Sequence, residues 1–116
     1  MLRAKLAIIS GFVVVAIAAC GSSEPARFSI AAGTGYETSL FRQNCAICHG
    51  PEGDGKTLDD GTVVPSLRAG EFKKKTETEV YNQISAGGNG MTPFRTQLTE
   101  REMRLLTDLV HNKLRQ

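Results

Sequence analysis

Cys45-Ala46-Ile47-Cys48-His49 holds more reactive chemistry than any other stretch of this 116-residue chain, two thiols and an imidazole within one short run. On a single turn of near-helical backbone, thiols at i and i+3 lie on the same side. They can add to the two vinyl groups along one edge of a porphyrin, while the adjacent imidazole reaches the iron from one face. Cys-x-x-Cys-His is accordingly the attachment pattern of a covalent c-type haem. By themselves these residues also admit a thioredoxin-like dithiol, half of a zinc site or a chance arrangement.

Candidates for a further ligand are few. Met103 falls in Thr99-Glu100-Arg101-Glu102-Met103, where Thr99 and Glu102 have capping-box spacing and Leu98 can staple onto Met103, so its side chain is assigned to helix packing. His111 lies close to Lys113 and Arg115 near the chain end, where a helix dipole favours cations, and reads as a surface residue. Met91 sits in a different setting, Gly87-Gly88-Asn89-Gly90-Met91-Thr92-Pro93-Phe94. Glycines there let the backbone pass close to a flat group, and Pro93 fixes the exit.

The elements that must position these residues follow from periodicity and end signals. Tyr36 to Cys45 reads as a short helix that carries Leu40 and Phe41 and runs straight into the cysteine pair. Thr76-x-x-Glu79 opens a second helix with Val80, Tyr81 and Ile84 at helical spacing, ending at Ala86. Met103, Leu106, Val110 and Leu114 form a stripe on the last helix, widened by Leu105 and Leu109, which is expected to face the first helix near Phe41. Gly50 to Thr57 matches the nucleotide-binding pattern Gly-x-x-x-x-Gly-Lys-Thr letter for letter. A phosphate cradle needs a strand before it and a helix after it. This stretch follows a helix and leads into the turn-forming Leu58 to Thr62, so it reads as a glycine-rich turn with no nucleotide.

At the amino terminus, Arg3 and Lys5 precede an apolar run from Leu6 to Ala19 that ends in Ile17-Ala18-Ala19-Cys20. The run is short for a membrane span and reads as an export signal, residues 1–19, rather than an uncleaved anchor. Its end resembles a bacterial lipobox, in which the cysteine, here Cys20, takes the lipid. Residues 20–35 are rich in Gly, Ser and Ala and read as a flexible tether, with the folded domain over 36–116. The three cysteines then divide into one for lipid and two for haem, leaving none for a disulfide. Removing residues 1–19 takes away Arg3 and Lys5 and no acid, which brings the 14 basic and 12 acidic side chains into balance and argues against nucleic acid as a partner. Lys73-Lys74-Lys75 is the only local charge run and reads as a solvated helix entrance.

Taken together, Leu40-Phe41-x-x-x-Cys45-Ala46-x-Cys48-His49-Gly50 resembles the opening of a class I monohaem cytochrome c, in a bacterial lipoprotein-anchored form. The resemblance covers about residues 36 to 114. It implies an all-α fold of three to four helices wrapped around one covalently attached haem c. Cys45 and Cys48 would form the thioethers, and His49 and Met91 would be the axial ligands. The Pro65 carbonyl would accept a hydrogen bond from the outer nitrogen of His49, and Leu67 would pack on the haem face. Departures from the family pattern stand at Glu37, where a glycine is common, at Thr92-Pro93, where the proline usually follows the methionine directly, and at Leu109, often an aromatic.

Iron held by an imidazole and a thioether has no open position, and the soft sulfur raises its reduction potential. The function implied is that of a one-electron carrier and no enzyme. It would be membrane-anchored and face the periplasm or extracytoplasmic side. It would shuttle electrons between a respiratory dehydrogenase or quinol-oxidising complex and a terminal oxidase or reductase, as a monomer or a complex subunit. Three alternatives stay open: a haem peroxidase or gas sensor if Met91 does not ligate, a fixed subunit of a larger oxidoreductase, and a zinc module built from Cys45, Cys48, His49 and His111.

Overall fold

The computed structural model describes residues 25–116, so the expected export signal over 1–19, the expected lipid site Cys20 and the start of the expected tether lie outside the described range. Four α-helices make the framework: α1 Tyr36–Asn44, α2 Ala46–His49, α3 Glu77–Ala86 and α4 Glu100–Asp108, the last continuing into a π-helical segment, Leu109–Leu114. The helices agree with the expected all-α class, and one small addition sits between α2 and α3. There β1 Lys56–Thr57 and β2 Val63–Val64 pair antiparallel, Lys56 opposite Val64 and Thr57 opposite Val63. The turn at Leu58 to Thr62 closes this ladder, with the Leu58 amide donating to the Thr62 carbonyl at 2.9 Å. Among the described residues no helix is long and apolar enough to cross a membrane.

Local signals account for where the helices begin. Thr76 and Glu79 form a reciprocal capping box at α3, and Thr99 and Glu102 form another at α4, each satisfying amides that an open helix end leaves unpaired. α1 starts differently, from Gly35 with no side-chain cap, and Thr38 Oγ1 donates back to the Gly35 carbonyl at 2.7 Å. At its other end the Cys45 amide still donates to the Phe41 carbonyl, so α1 passes almost without a break into α2.

Leu40 and Phe41 of α1, Val80 and Ile84 of α3, and Met103, Leu106, Leu109, Val110 and Leu114 of the last helix bury together as the core. The expected stripe is therefore the packed face. Its continuation is not a uniform 3.6-residue helix: after Asp108 it switches to π geometry, and Leu109, Val110 and Leu114 stay buried through the switch. Where α1 meets the end of the last helix, Glu37 stands in place of the common glycine and its carboxylate takes a hydrogen bond from Lys113 Nζ at 2.9 Å.

The expectation of a flexible tether over 20–35 is revised for its later part. Ile30 is fully buried, and the segment around it is tied to the loop after α2. Glu52 accepts from the Ile30 amide at 2.9 Å, the Ala31 amide at 2.8 Å and Ser29 Oγ at 3.0 Å. Arg68 pairs with Glu52 at 2.9 Å and donates to the Phe28 carbonyl at 2.9 Å, while Arg42 donates to the Ile30 carbonyl at 2.7 Å. Small residues without periodicity looked unable to fold, but their backbone groups are satisfied by charged side chains from distant positions.

Candidate functional site

Cys45 occupies the hinge between α1 and α2, and its carbonyl accepts from the Cys48 amide at 3.1 Å and the His49 amide at 2.9 Å. This single turn carries both thiols, which are free. They differ in setting. Cys45 packs against the hydrophobic core, and its burial, with Cys48 adding to it, pushes its thiol up to about 12. Cys48 and Ile47 face outward.

His49 is half-buried, and loss of solvent lowers its pKa, which favours the neutral imidazole a metal ligand must be. Its Nδ1 is buried with no hydrogen-bond partner. The bond expected from this ring to the Pro65 carbonyl is therefore not made in the structure. Pro65 is nonetheless brought to the loop behind His49. The Gly55 amide donates to the His49 carbonyl at 2.9 Å, and a Cβ on Gly55 would lie 2.4 Å from the Val64 carbonyl oxygen and 2.8 Å from the Pro65 carbonyl carbon. With φ +81 as well, Gly55 is the residue that allows this approach. Leu67 is held next to it, its amide donating to the Gly53 carbonyl at 2.9 Å, and packs on the core as a half-buried residue. The P-loop resemblance of Gly50 to Thr57 ends here, since α2 precedes the stretch and β1 terminates it.

Met91 lies at the end of a tight turn. Its amide donates to the Gly88 carbonyl at 3.1 Å and its carbonyl accepts from the Gly88 amide at 2.9 Å, while the two central residues Asn89 and Gly90 have φ of 53° and 83°. Two positive φ values make this a type I′ turn, for which Asn-Gly is the preferred pair, so Asn89-Gly90 was a readable signal of the turn. Gly87 lies against the far side, where a Cβ would fall 2.5 Å from the Met91 carbonyl oxygen and 2.6 Å from the Pro93 nitrogen. The displaced proline does not open the loop, because the Phe94 amide returns to the Ile84 carbonyl at 3.0 Å. Sequence reasoning missed Gln83, whose side-chain Nε2 reaches into this turn and lies 3.8 Å from Met91 Sδ. Nothing in α3 periodicity distinguishes it from a solvated glutamine.

Cys45, Leu67 and Met91 border the same core, joined there by Ala46 and Phe94. His111 is elsewhere, with Nε2 3.0 Å from the Lys75 carbonyl and Nδ1 2.7 Å from Asn112 Oδ1. The zinc constellation is not assembled, and among the described residues no group of three or more His, Cys, Asp or Glu could hold a metal ion. Two free thiols on one turn, an imidazole beside them whose burial favours the neutral form, and a thioether at the edge of the same apolar core are instead the donor set a covalently bound haem would use.

Comparisons with known proteins point the same way. The chain is similar to the KustC0563 c-type cytochrome, a solved structure, at 29% identity and a TM-score of 0.57, over 67% of this chain and 95% of that one. No curated protein matches it. The family model described as cytochrome C oxidase, cbb3-type, subunit III matches residues 37–110, from the start of α1 into the π-helical segment. That match spans well over half of the chain and contains both thiols, His49 and Met91, so the chain belongs to this family as a class I monohaem cytochrome c that transfers electrons through covalently attached haem c.

Proposed function

We propose that the protein is a membrane-anchored one-electron carrier in which Cys45 and Cys48 would hold the haem, His49 and Met91 would ligate its iron, and Cys20 would carry the lipid. The observation that carries the reading is the placement of Met91 on a closed turn at the border of the core that Cys45 also borders. Bound haem c supplies a one-electron couple at its iron. The chain supplies the rest. His49, whose burial favours the neutral form, would offer a nitrogen lone pair, the Met91 thioether would offer a soft sulfur that favours the reduced form, and the Gly87–Phe94 loop fixes the backbone that carries that sulfur. Ligands that stay in place through the redox cycle keep the reorganisation small, which suits a carrier rather than an enzyme.

Redox partners in this reading are a respiratory dehydrogenase or quinol-oxidising complex on one side and a terminal oxidase or reductase on the other. The domain is placed on the periplasmic or extracytoplasmic side of the membrane. A fixed subunit of a larger oxidoreductase is a second reading, favoured by the description of the family model that matches residues 37–110.

The test is the ferric protein matured in an export-competent host. A sulfur-to-iron charge-transfer band that is lost in Met91→Ala is expected. Its absence in the unaltered protein, or ready carbon monoxide binding by the ferrous form, would overturn the simple carrier reading and leave a peroxidase or gas sensor as the alternative. Co-purification at fixed stoichiometry in mild detergent would select the subunit reading.

A further inference from the structure

Gln83 stands on the last turn of α3, and its side-chain nitrogen meets three acceptors at once: the Gly87 carbonyl at 3.1 Å, the Gly88 carbonyl at 3.1 Å and Met91 Sδ at 3.8 Å. Its backbone carbonyl also accepts from the Gly87 amide at 2.9 Å. One residue thus grips the methionine turn through both main chain and side chain. A primary amide has two protons to donate, so the three acceptors share two donors. The two carbonyl contacts suffice to hold the loop. The sulfur contact has no role in closing the turn, because Met91 is already fastened to Gly88 through its own amide and carbonyl.

A thioether sulfur has two lone pairs and is a weak acceptor. A donor directed at one of them orients the side chain and leaves the other for a metal. It also draws electron density off the sulfur. Loss of density weakens donation to an electron-poor oxidised iron more than to a reduced one, which shifts the couple toward the reduced form. We propose that Gln83 is a positioning residue for the Met91 sulfur, and that its carboxamide sets both the hold of that sulfur and the reduction potential. The inference rests on Met91 being the axial ligand.

Holoprotein carrying Gln83→Leu, which keeps most of the volume and removes both donors, is compared with unaltered protein and with Asn82→Leu on the exposed neighbouring position. Expected for Gln83→Leu are a lower reduction potential and a shifted sulfur-to-iron band, because the sulfur regains donor strength toward oxidised iron. Because the turn loses its contacts through the Gly87 and Gly88 carbonyls, imidazole binding to the ferric form should be about tenfold tighter, the order of one or two net hydrogen bonds. Asn82→Leu should change none of these. An unaltered potential and imidazole affinity in Gln83→Leu, with the band present, would overturn the inference while leaving Met91 ligation standing. A band absent from the unaltered protein would overturn both.

A measurement on the unaltered reduced protein does not depend on the variant folding. The Gln83 side-chain amide protons should exchange slowly with solvent and show a nuclear Overhauser contact to the Met91 methyl. Fast exchange with no such contact counts against the proposal.

Discussion

At Gly55 a single hydrogen in place of a methyl decides whether the loop after His49 can close. Alanine there would put Cβ 2.4 Å from the Val64 carbonyl oxygen and force an L residue to φ +81. Neither contact can relax, because both neighbours are backbone of the β2 exit. Gly55→Ala is expected to cost about 2–3 kcal/mol, read as a lower urea midpoint of the holoprotein. Gly61 is the control, since a Cβ on it meets nothing within 4 Å. Its φ of +84 leaves only the backbone strain, so Gly61→Ala should cost about 1 kcal/mol. The same residue scale explains why the grouping of Cys45, Cys48 and His49 was readable in the sequence, since the structure keeps all three on one turn. Their roles depend on spacing along one turn, which covalent geometry sets. Gln83 escaped notice because what it touches is settled only when the Gly87–Met91 turn folds back over the end of α3.

Among the elements, α3 and α4 were the most legible, since their capping boxes are written in four consecutive positions. Thr99→Ala should lower stability by about 1 kcal/mol, and Thr76→Ala by a similar amount. The two caps sit on different helices and share no hydrogen bond, so the double variant should show the sum within a few tenths of a kcal/mol in chemical denaturation. The last helix was less legible. Its apolar stripe announced burial, but apolar spacing carries no mark of the change to π geometry from Leu109 to Leu114. The β1–β2 ladder went unread because two-residue strands have no period to detect.

For the whole molecule, the stretch before α1 is part of the folded unit. A residue in a flexible tether could be trimmed without consequence, whereas Ile30 is fully buried, so Ile30→Ala should cost about 2–4 kcal/mol by thermal or urea unfolding. Glu52 ties this stretch down. Desolvation pushes its carboxyl up, but hydrogen bonds from the Ala31 and Ile30 amides and from Ser29, with the charge of Arg68, outweigh that and hold it below the usual range. Glu37 is lowered as well, chiefly by its hydrogen bond from Lys113. A carboxylate with a depressed folded pKa stabilises the fold fully above its unfolded value, about 4.3, and progressively loses that contribution as pH falls through the folded one. The holoprotein should therefore lose stability below about pH 4.5. In Glu52→Ala that acid-dependent loss should be smaller, and stability at neutral pH should already be lower by about 3 kcal/mol, because Arg68 stays buried without its partner.

The sequence by itself determined whatever rests on neighbours along the chain: the thiol and imidazole spacing at Cys45 to His49, the capped starts of α3 and α4, and the apolar face of the last helix. Tertiary structure decided what rests on partners far apart in sequence. The Ile30 amide finds Glu52 across 22 positions and Arg68 finds the Phe28 carbonyl across 40, turning an apparent linker into part of the fold. The same holds for Pro65, brought behind His49 through Gly55 without the hydrogen bond that the family resemblance implied. Local patterns survive in sequence because their geometry is carried by a few adjacent bonds. Long-range polar contacts depend on chain closure, which no single stretch encodes.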